Sequence, residues 1–133
     1  DMDSKTVLWE AGKPYLFDLE SLSYGNPHTE LFQLALCWGG YESCRLRYNR
    51  LQAFLQGYQS VFGTLHADWE LLYDSNIGSL LWLEYNLKRA LNIECTNEAE
   101  QALGVGQVKE TLKHVRYYQK IREPLLRHLY RKF

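Results

Sequence analysis

Two short apolar runs near the start of the chain, separated by turn-forming residues, constrain the fold most. The runs are Val7–Trp9 and Tyr15–Phe17, and the five residues between them include Gly12 and Pro14. This arrangement predicts a β-hairpin whose loop is longer than the tight two-residue kind. Because an antiparallel hairpin returns the chain to its starting end, residues just before the first run and just after the second are expected to lie close together.

Three acids surround the predicted hairpin. Asp1 precedes it, Asp18 closes its second strand and Glu20 lies just beyond. One interpretation is that they are ordinary solvated surface acids. The other is a metal-phosphate site, because Mg²⁺ prefers oxygen ligands from one or two carboxylates together with phosphate oxygens. A separate carboxylate can then accept the proton of an attacking hydroxyl. The spacing alone leaves both interpretations open.

The rest of the chain predicts helices. Asn26 and Pro27 suit the N-cap and first position of a helix that stops at Gly39-Gly40. A second helix is expected from about Ser43 to Gly63, with several arginines in its first two turns. A third is expected from about residues 66–68 to Leu91 as one continuous element.

The last quarter of the chain predicts a capped helical region. Asn97 and Glu100 have the spacing of a capping box. Gly104 and Gly106 are expected to interrupt the helix that starts there, and a long amphipathic helix should follow. Pro124 is expected to end or kink that helix.

Residues 77–91 have apolar side chains on nearly every side of the predicted helix, which indicates a central, buried element. Glu84 stands out there, because a carboxylate on a buried helix usually needs a partner. One candidate partner is Lys88 at the i+4 position. The alternative is that Glu84 contacts a cationic or polyhydroxyl ligand.

Charge is distributed unevenly. Residues 1–108 hold 14 acids and 7 bases, net −7, whereas residues 109–133 hold 2 acids and 8 bases, net +6. An acidic body favours a cationic small molecule and disfavours nucleic acid. The basic tail fits the solvated face of a final helix or a nucleic-acid contact, and no nucleic-acid motif supports the second option.

Compartment and membrane signals are few. Cys37, Cys44 and Cys95 are odd in number and lack metal-ligand spacing, which indicates reduced thiols in a cytoplasmic protein. No stretch approaches the roughly 20 apolar residues of a membrane span, so no membrane partner is expected.

The chain resembles a known family over its 133 residues, as the C-terminal lobe of a larger kinase, and the diagnostic motifs lie in its first thirty-one residues. Aminoglycoside phosphotransferases and choline kinases, relatives of the protein kinases, carry a His-x-Asp-x-x-x-x-Asn catalytic loop, a hairpin, and then a metal-binding Asp. This chain keeps their order and spacing in the motifs Val7-Leu8-Trp9, Gly12-Lys13-Pro14, Phe17-Asp18-Leu19-Glu20, Gly25-Asn26-Pro27 and Glu30-Leu31. The resemblance implies a mainly α fold with a small β-hairpin, the C-terminal helical lobe of a protein-kinase-like (α+β) phosphotransferase.

The resemblance also implies roles for the matched residues. Asp1 would be the catalytic base, and Asp18 would bind metal with Glu20 beside it. Thr6 stands where the family has a metal-binding Asn, and its hydroxyl is a shorter, poorer ligand than an amide carbonyl. Acids of the helical region commonly recognise the substrate in such kinases, which makes Glu84 a candidate, with Asp74 and Glu70 as weaker ones.

The function expected from the resemblance is transfer of the γ-phosphoryl of ATP, with Mg²⁺, to a hydroxyl of a small and cationic molecule resembling an aminoglycoside or choline. Residues 1–133 would form a single domain, with the catalytic and metal-binding hairpin in 1–20 and the helical substrate-binding lobe in 21–133. The nucleotide-binding lobe that the family places before Asp1 is absent, so the chain alone is expected to be inactive. The alternative is a degenerate kinase that serves as a non-catalytic helical binding module, which Thr6 favours.

Overall fold

The computed structural model describes residues 5–20 and 23–133 and shows a mainly helical chain with one two-stranded antiparallel sheet. The coarse prediction of helices with a small hairpin is therefore confirmed. In chain order the strands and helices are β1 (Val7–Glu10), β2 (Lys13–Leu16), α1 (Pro27–Trp38), α2 (Tyr48–Phe62), α3 (Trp69–Ser75), α4 (Gly78–Ala90) and α5 (Glu98–Lys132). Residues Asp68–Arg131 make one compact unit, and the remaining described residues make the other.

The hairpin turn is tighter than predicted. The register pairs Val7 with Leu16 and Glu10 with Lys13, so the connection is the two residues 11 and 12 alone. The prediction of a longer loop was wrong, because Pro14 takes a place in the strand rather than in the turn. Both turn residues have positive φ, 48° at Ala11 and 78° at Gly12. Two-residue hairpin turns of this kind favour Asn-Gly, because asparagine and glycine tolerate the left-handed region.

Replacing Ala11 by asparagine should raise the free energy of unfolding by about 1 kcal/mol, since an ordinary L-residue in the left-handed region costs about that much. Urea unfolding followed by circular dichroism would measure it. Gly12→Ala is the matched control. This variant should lower the free energy of unfolding, because Gly12 has a positive φ that alanine disfavours. A steric clash would not contribute, since nothing lies within 4 Å of the Cβ position. A loss of stability in Ala11→Asn would contradict the turn geometry.

Helix α1 begins as its residues predict. The Asn26 side-chain oxygen accepts hydrogen bonds from the backbone N–H groups of His28 at 2.9 Å and Thr29 at 3.3 Å, and Pro27 is the first helical residue. Gly39 forms the C-cap. A Cβ there would lie 2.7 Å from Leu46 Cδ1 and 2.9 Å from the Ala35 carbonyl oxygen, so a side chain at this position would force its neighbours to shift.

Helix α2 begins later than predicted. The predicted start near Ser43 was wrong, since residues Tyr41–Ser43 form a short 3₁₀ turn and Cys44 has a φ of +51°. Arg47, which the prediction placed inside the helix, is its N-cap. The core of this unit comes from the apolar stripes of α1 and α2, whose buried members are Leu31, Phe32, Ala35, Leu36, Leu51 and Leu55.

The predicted third helix is two helices. The N-cap of α3 is Asp68, whose side chain accepts from the Leu71 N–H at 3.0 Å, and its C-cap is Asn76. α4 follows after Ile77. At the junction the Asn76 N–H donates to the Tyr73 carbonyl at 3.3 Å and the Ile77 N–H donates to the Ser75 carbonyl at 2.9 Å. These bonds span three and two residues instead of four, so the α-helical hydrogen-bond ladder is interrupted there.

Helix α5 runs for 35 residues through Gly104, Gly106 and Pro124. The predicted interruption at the two glycines and a helix end at Pro124 were therefore wrong, whereas a kink at Pro124 stays a prediction. Its start keeps one half of the predicted capping box, and in the other half Glu100 pairs with Thr96 instead of Asn97. Asn97 accepts from the Glu100 N–H at 2.9 Å, and Glu100 reaches back to the Thr96 N–H at 2.8 Å. The Thr96 hydroxyl also donates to Glu100, at 2.5 Å. The hydroxyl and backbone hydrogen bonds from Thr96, together with the charge of Arg89, lower the pKa of Glu100.

The prediction that α4 is buried on all sides was also wrong. Its buried residues are the polar Asn86 and Arg89, while most of its large apolar side chains are exposed. Arg89 lies 3.2 Å from a Glu100 carboxylate oxygen. The polar side of α4 therefore faces the start of α5, where it has charged partners, and the apolar side faces outward.

Candidate functional site

The open end of the hairpin is the first candidate site. Beyond the last strand pair, the Phe17 N–H donates to the Thr6 carbonyl at 3.2 Å. This bond extends the pairing by one residue and fixes Thr6 beside the residue that precedes Asp18. The predicted approach of the two hairpin ends is confirmed as far as Thr6. Asp1, the predicted catalytic base, lies outside the described residues.

Asp18 and Glu20 are both exposed at this end. Asp18 has a φ of +62°, in the left-handed region. Residues other than glycine are uncommon there and cluster at functional sites, although aspartate tolerates the region better than most. Within residues 5–20 and 23–133, no three His, Cys, Asp or Glu side chains are grouped so that they could hold a metal ion. Any metal held here by described residues would therefore depend on one or two carboxylates.

Thr6 differs from the two acids in its surroundings. Only 8% of its surface is exposed, whereas Asp18 and Glu20 face solvent. Its backbone carbonyl belongs to the hairpin ladder through Phe17. Thr6 thus acts on the hairpin first as a structural residue, and any metal contact would need its hydroxyl to reach the same open end.

One face of the hairpin meets the helices of its own unit around an apolar cavity of about 410 Å³. Sequence reasoning did not predict this cavity. Its walls include Val7, Trp9 and Leu16 from the hairpin and Leu34, Trp38 and Phe54 from α1 and α2. The cavity shows that the face of the hairpin with Val7, Trp9 and Leu16 is the one that meets the helices.

The second candidate site joins α3 to α5. Arg122 is bound by Asp74 through two contacts, at 3.2 and 3.1 Å, and by Glu70 at 2.5 Å. It also contacts Glu123 at 3.1 Å. These carboxylates, Asp74 first and then Glu70, raise the pKa of Arg122 further above its ordinary value. Three carboxylates surround one guanidinium, so the cluster has a net negative charge.

A pair of stacked tyrosines lies next to this cluster. The rings of Tyr73 and Tyr118 are parallel, with centroids 4.0 Å apart. Each hydroxyl donates to the other residue's backbone carbonyl, at 2.8 Å from Tyr118 to Tyr73. Together with Asp74, Asn76 and Arg122 they line a cavity of about 280 Å³ within this unit.

The predicted substrate acids are therefore not all in one place. Asp74 and Glu70 share Arg122, whereas Glu84 lies on α4, exposed, 3.5 Å from Lys88. The i+4 pair that was one of the two interpretations of Glu84 is thus present. Sequence reasoning missed Arg122 and the two tyrosines. Their partners lie 45 to 52 residues away, and no local spacing signals such a contact.

Comparisons with known proteins add no identification: no family model, curated protein or solved structure matches this chain. Among the helices of the described ranges, none combines the length and the apolar character that crossing a membrane requires.

Proposed function

We propose that this chain is the helical C-terminal lobe of a cytoplasmic, ATP-dependent phosphotransferase that acts on a hydroxyl of a small cationic molecule. The observation that carries the proposal is the open end of the hairpin. There the Thr6–Phe17 hydrogen bond holds the strands together, and Asp18 follows at once with a left-handed backbone. This is the order of parts that the resembled family uses for its metal-binding acid.

The residues present fit a divalent cation. Asp18 and Glu20 offer two exposed carboxylates at one end of a fixed hairpin, and Mg²⁺ commonly takes only one or two protein carboxylates and fills its shell with water and phosphate oxygens. Bound there, Mg²⁺ would supply neutralisation of phosphate charge. The protein's own part is to hold Asp18 in place, and the hairpin ladder does this through the backbone.

The other roles follow from the resemblance. Asp1 would orient the acceptor hydroxyl and take its proton. Contacts to the nucleotide would come from a lobe that precedes Asp1 in the parent protein. Phosphoryl transfer depends mainly on positioning and charge neutralisation, so the reaction would need both this end of the hairpin and the nucleotide contacts.

An exposed apolar surface on the hairpin supports the docking of such a lobe. On the face opposite the apolar cavity, Leu8, Tyr15 and Phe17 are each about half exposed or more. Exposed apolar residues that are contiguous often mark a surface that another domain or partner covers. A hairpin with polar outer faces would have spoken against the proposal.

On the acceptor side, Asp74 is the best supported of the three predicted acids. It lines the 280 Å³ cavity, and the cluster around it keeps more acids than bases. An ammonium group entering the cavity would compete with Arg122 for Asp74 and Glu70. Glu84 lies on α4 beside Lys88 and is the weakest candidate.

Metal binding by the 133-residue chain gives the first test. Titration with Mn²⁺ should broaden the amide NMR signals around Thr6 and Asp18, and Asp18→Asn should weaken this binding by roughly tenfold or more, since it removes a charged oxygen ligand. Glu10→Gln is the control, because Glu10 is an exposed acid at the turn end of the same hairpin. Equal broadening in both variants would contradict a metal site at Asp18.

Activity gives the second test. A chain in which a nucleotide-binding lobe precedes Asp1 should release ADP from Mg²⁺-ATP when a panel of amino alcohols and aminoglycosides is added. In Asp18→Asn the acceptor-dependent release should fall to the level seen without acceptor. Release that is unchanged in the variant would refute the role of Asp18.

A non-catalytic helical module is the second candidate function, and Thr6 favours it. A largely buried threonine replaces the amide that the family uses as a ligand. The Thr6→Asn variant of the longer chain separates the two. Activity already present with Thr6 supports the enzyme, whereas no activity with either residue supports the module.

A further inference from the structure

Helix α4 presents an apolar surface to solvent, which we call the α4 face. Its members are Ile77, Leu80, Leu81, Tyr85, Leu87 and Leu91, which are between 39% and 67% exposed. At 100° per residue they share one side of the helix. The opposite side carries the buried Asn86 and Arg89.

Close contacts with α5 on the polar side of α4 fix which side of this helix faces solvent. A Cβ at Gly104 of α5 would lie 2.9 Å from the Ala90 nitrogen and 3.2 Å from the Asn86 carbonyl oxygen. Gln101 donates to the Ala90 carbonyl at 3.1 Å. The α4 face cannot turn inward without losing these contacts, so its exposure is built into the unit.

The size of the α4 face fits a protein interface. Six large side chains, each about half exposed, present on the order of 600 Å² of apolar surface, the upper end of what single chains leave uncovered. This is also about the area that each partner contributes to a small specific interface.

The charges on the face are self-complementary. Near its middle lie Glu84 and Lys88, which are 3.5 Å apart within the chain. Lys88 also has Glu94 at 3.3 Å as a second, closer partner, so Glu84 is the more loosely held acid of the two and is 66% exposed. An antiparallel second copy that places its Lys88 opposite Glu84 also places its Glu84 opposite Lys88. The same register brings Leu81 opposite Leu91 of the second copy.

We propose that the α4 face is the interface of a two-fold homodimer, in which two α4 helices pack antiparallel with their Glu84 and Lys88 side chains paired across the axis. A two-fold contact requires one surface to complement itself, and the apolar residues around an opposite-charge pair satisfy this requirement. Ile77 and Leu80 of the α4 face also line the 280 Å³ cavity, but the proposed dimer rests only on the face and its charges and not on the proposed function.

Sedimentation equilibrium of the 133-residue chain over a wide concentration range tests the proposal. The wild-type chain should dimerise, and Leu81→Asp should weaken dimerisation by at least roughly tenfold, because it buries a charge in the interface. Phe62→Asp is the matched control, since Phe62 is an exposed apolar residue of the other unit. A wild-type chain that stays monomeric, or a dimer that Leu81→Asp leaves intact, would overturn the proposal.

A charge-swap experiment distinguishes this register from any other use of the face. Glu84→Lys alone and Lys88→Glu alone each place like charges opposite each other in the dimer, so each should dimerise at least about tenfold more weakly than wild type. An equimolar mixture of the two variants should recover dimerisation, because one chain then carries two lysines and the other two glutamates. Both positions are solvent-exposed enough that unchanged helical circular dichroism is expected. Failure of the mixture to recover would refute the register.

Discussion

Truncation of Tyr73 to alanine should lower the free energy of unfolding by about 3–5 kcal/mol, the cost usual for deleting a buried aromatic side chain. The ring is only 4% exposed and lies parallel to Tyr118, with a centroid separation of 4.0 Å. Because stacking itself contributes only about 0.5–1.5 kcal/mol, most of the loss should come from the cavity and from the hydrogen bonds that tie α3 to α5. Chemical denaturation measures the change.

Two variants separate the hydroxyl groups from the rings. Tyr73→Phe removes the donor to the Tyr118 carbonyl, and Tyr118→Phe removes the donor to the Tyr73 carbonyl. Each should cost about 1–2 kcal/mol, since a partly buried carbonyl loses a partner. The double variant should depart from the sum of the two, because the rings share one contact. Additive effects would show that the two hydrogen bonds stabilise the contact independently and would contradict the expected coupling between them.

Local chemistry accounts for the parts of the fold that could be predicted. Asn26 and Pro27 mark the start of α1 because a side-chain oxygen satisfies free N–H groups and proline needs no hydrogen bond at the first position. The capping pattern at Asn97 and Glu100 works for the same reason. Such signals depend only on residues a few positions apart, so the sequence contains all of the information.

The orientation of α4 could not be predicted from periodicity. Apolar residues at helical spacing indicate a surface that prefers to be covered, but they do not say what covers it. In this chain the polar side has specific partners, since Glu100 lies 3.2 Å from Arg89 and Gln101 bonds to the Ala90 carbonyl. These contacts join α4 to α5, so the polar side of α4 faces α5, and no pattern within α4 itself indicates this.

The candidate site was predictable only in part. The hairpin follows from its two short apolar runs, and the exposure of Asp18 follows from the position of this acid at the end of the second strand. The Arg122 cluster does not, because Asp74 and Glu70 lie 48 and 52 residues before it. The metal, nucleotide and acceptor stay predictions that the binding and activity measurements address.

The same glycine substitution should have opposite effects at two neighbouring positions of α5. Gly104→Ala should destabilise by about 2–3 kcal/mol, because its Cβ would lie 2.9 Å from the Ala90 nitrogen and from Arg89 Cβ. Both atoms belong to the packed part of α4 and cannot rotate away. Gly106→Ala should instead stabilise by about 0.5–1 kcal/mol, since nothing lies within 4 Å of its Cβ position and alanine favours the helix.

Chemical denaturation of the two variants and the wild-type chain measures both changes in the free energy of unfolding. The two substitutions are identical and two residues apart in α5, so their intrinsic effect on helix stability is nearly the same. Helix propensity alone predicts that both variants gain stability, whereas close packing of α4 on α5 predicts a gain at one position and a loss at the other. A gain at both would mean that the helices are not held at the distance the structure gives. The close contact of α4 with α5 at Gly104 is what keeps the polar side of α4 against α5 and the α4 face exposed. Without that contact, the structure would no longer explain why the α4 face is exposed.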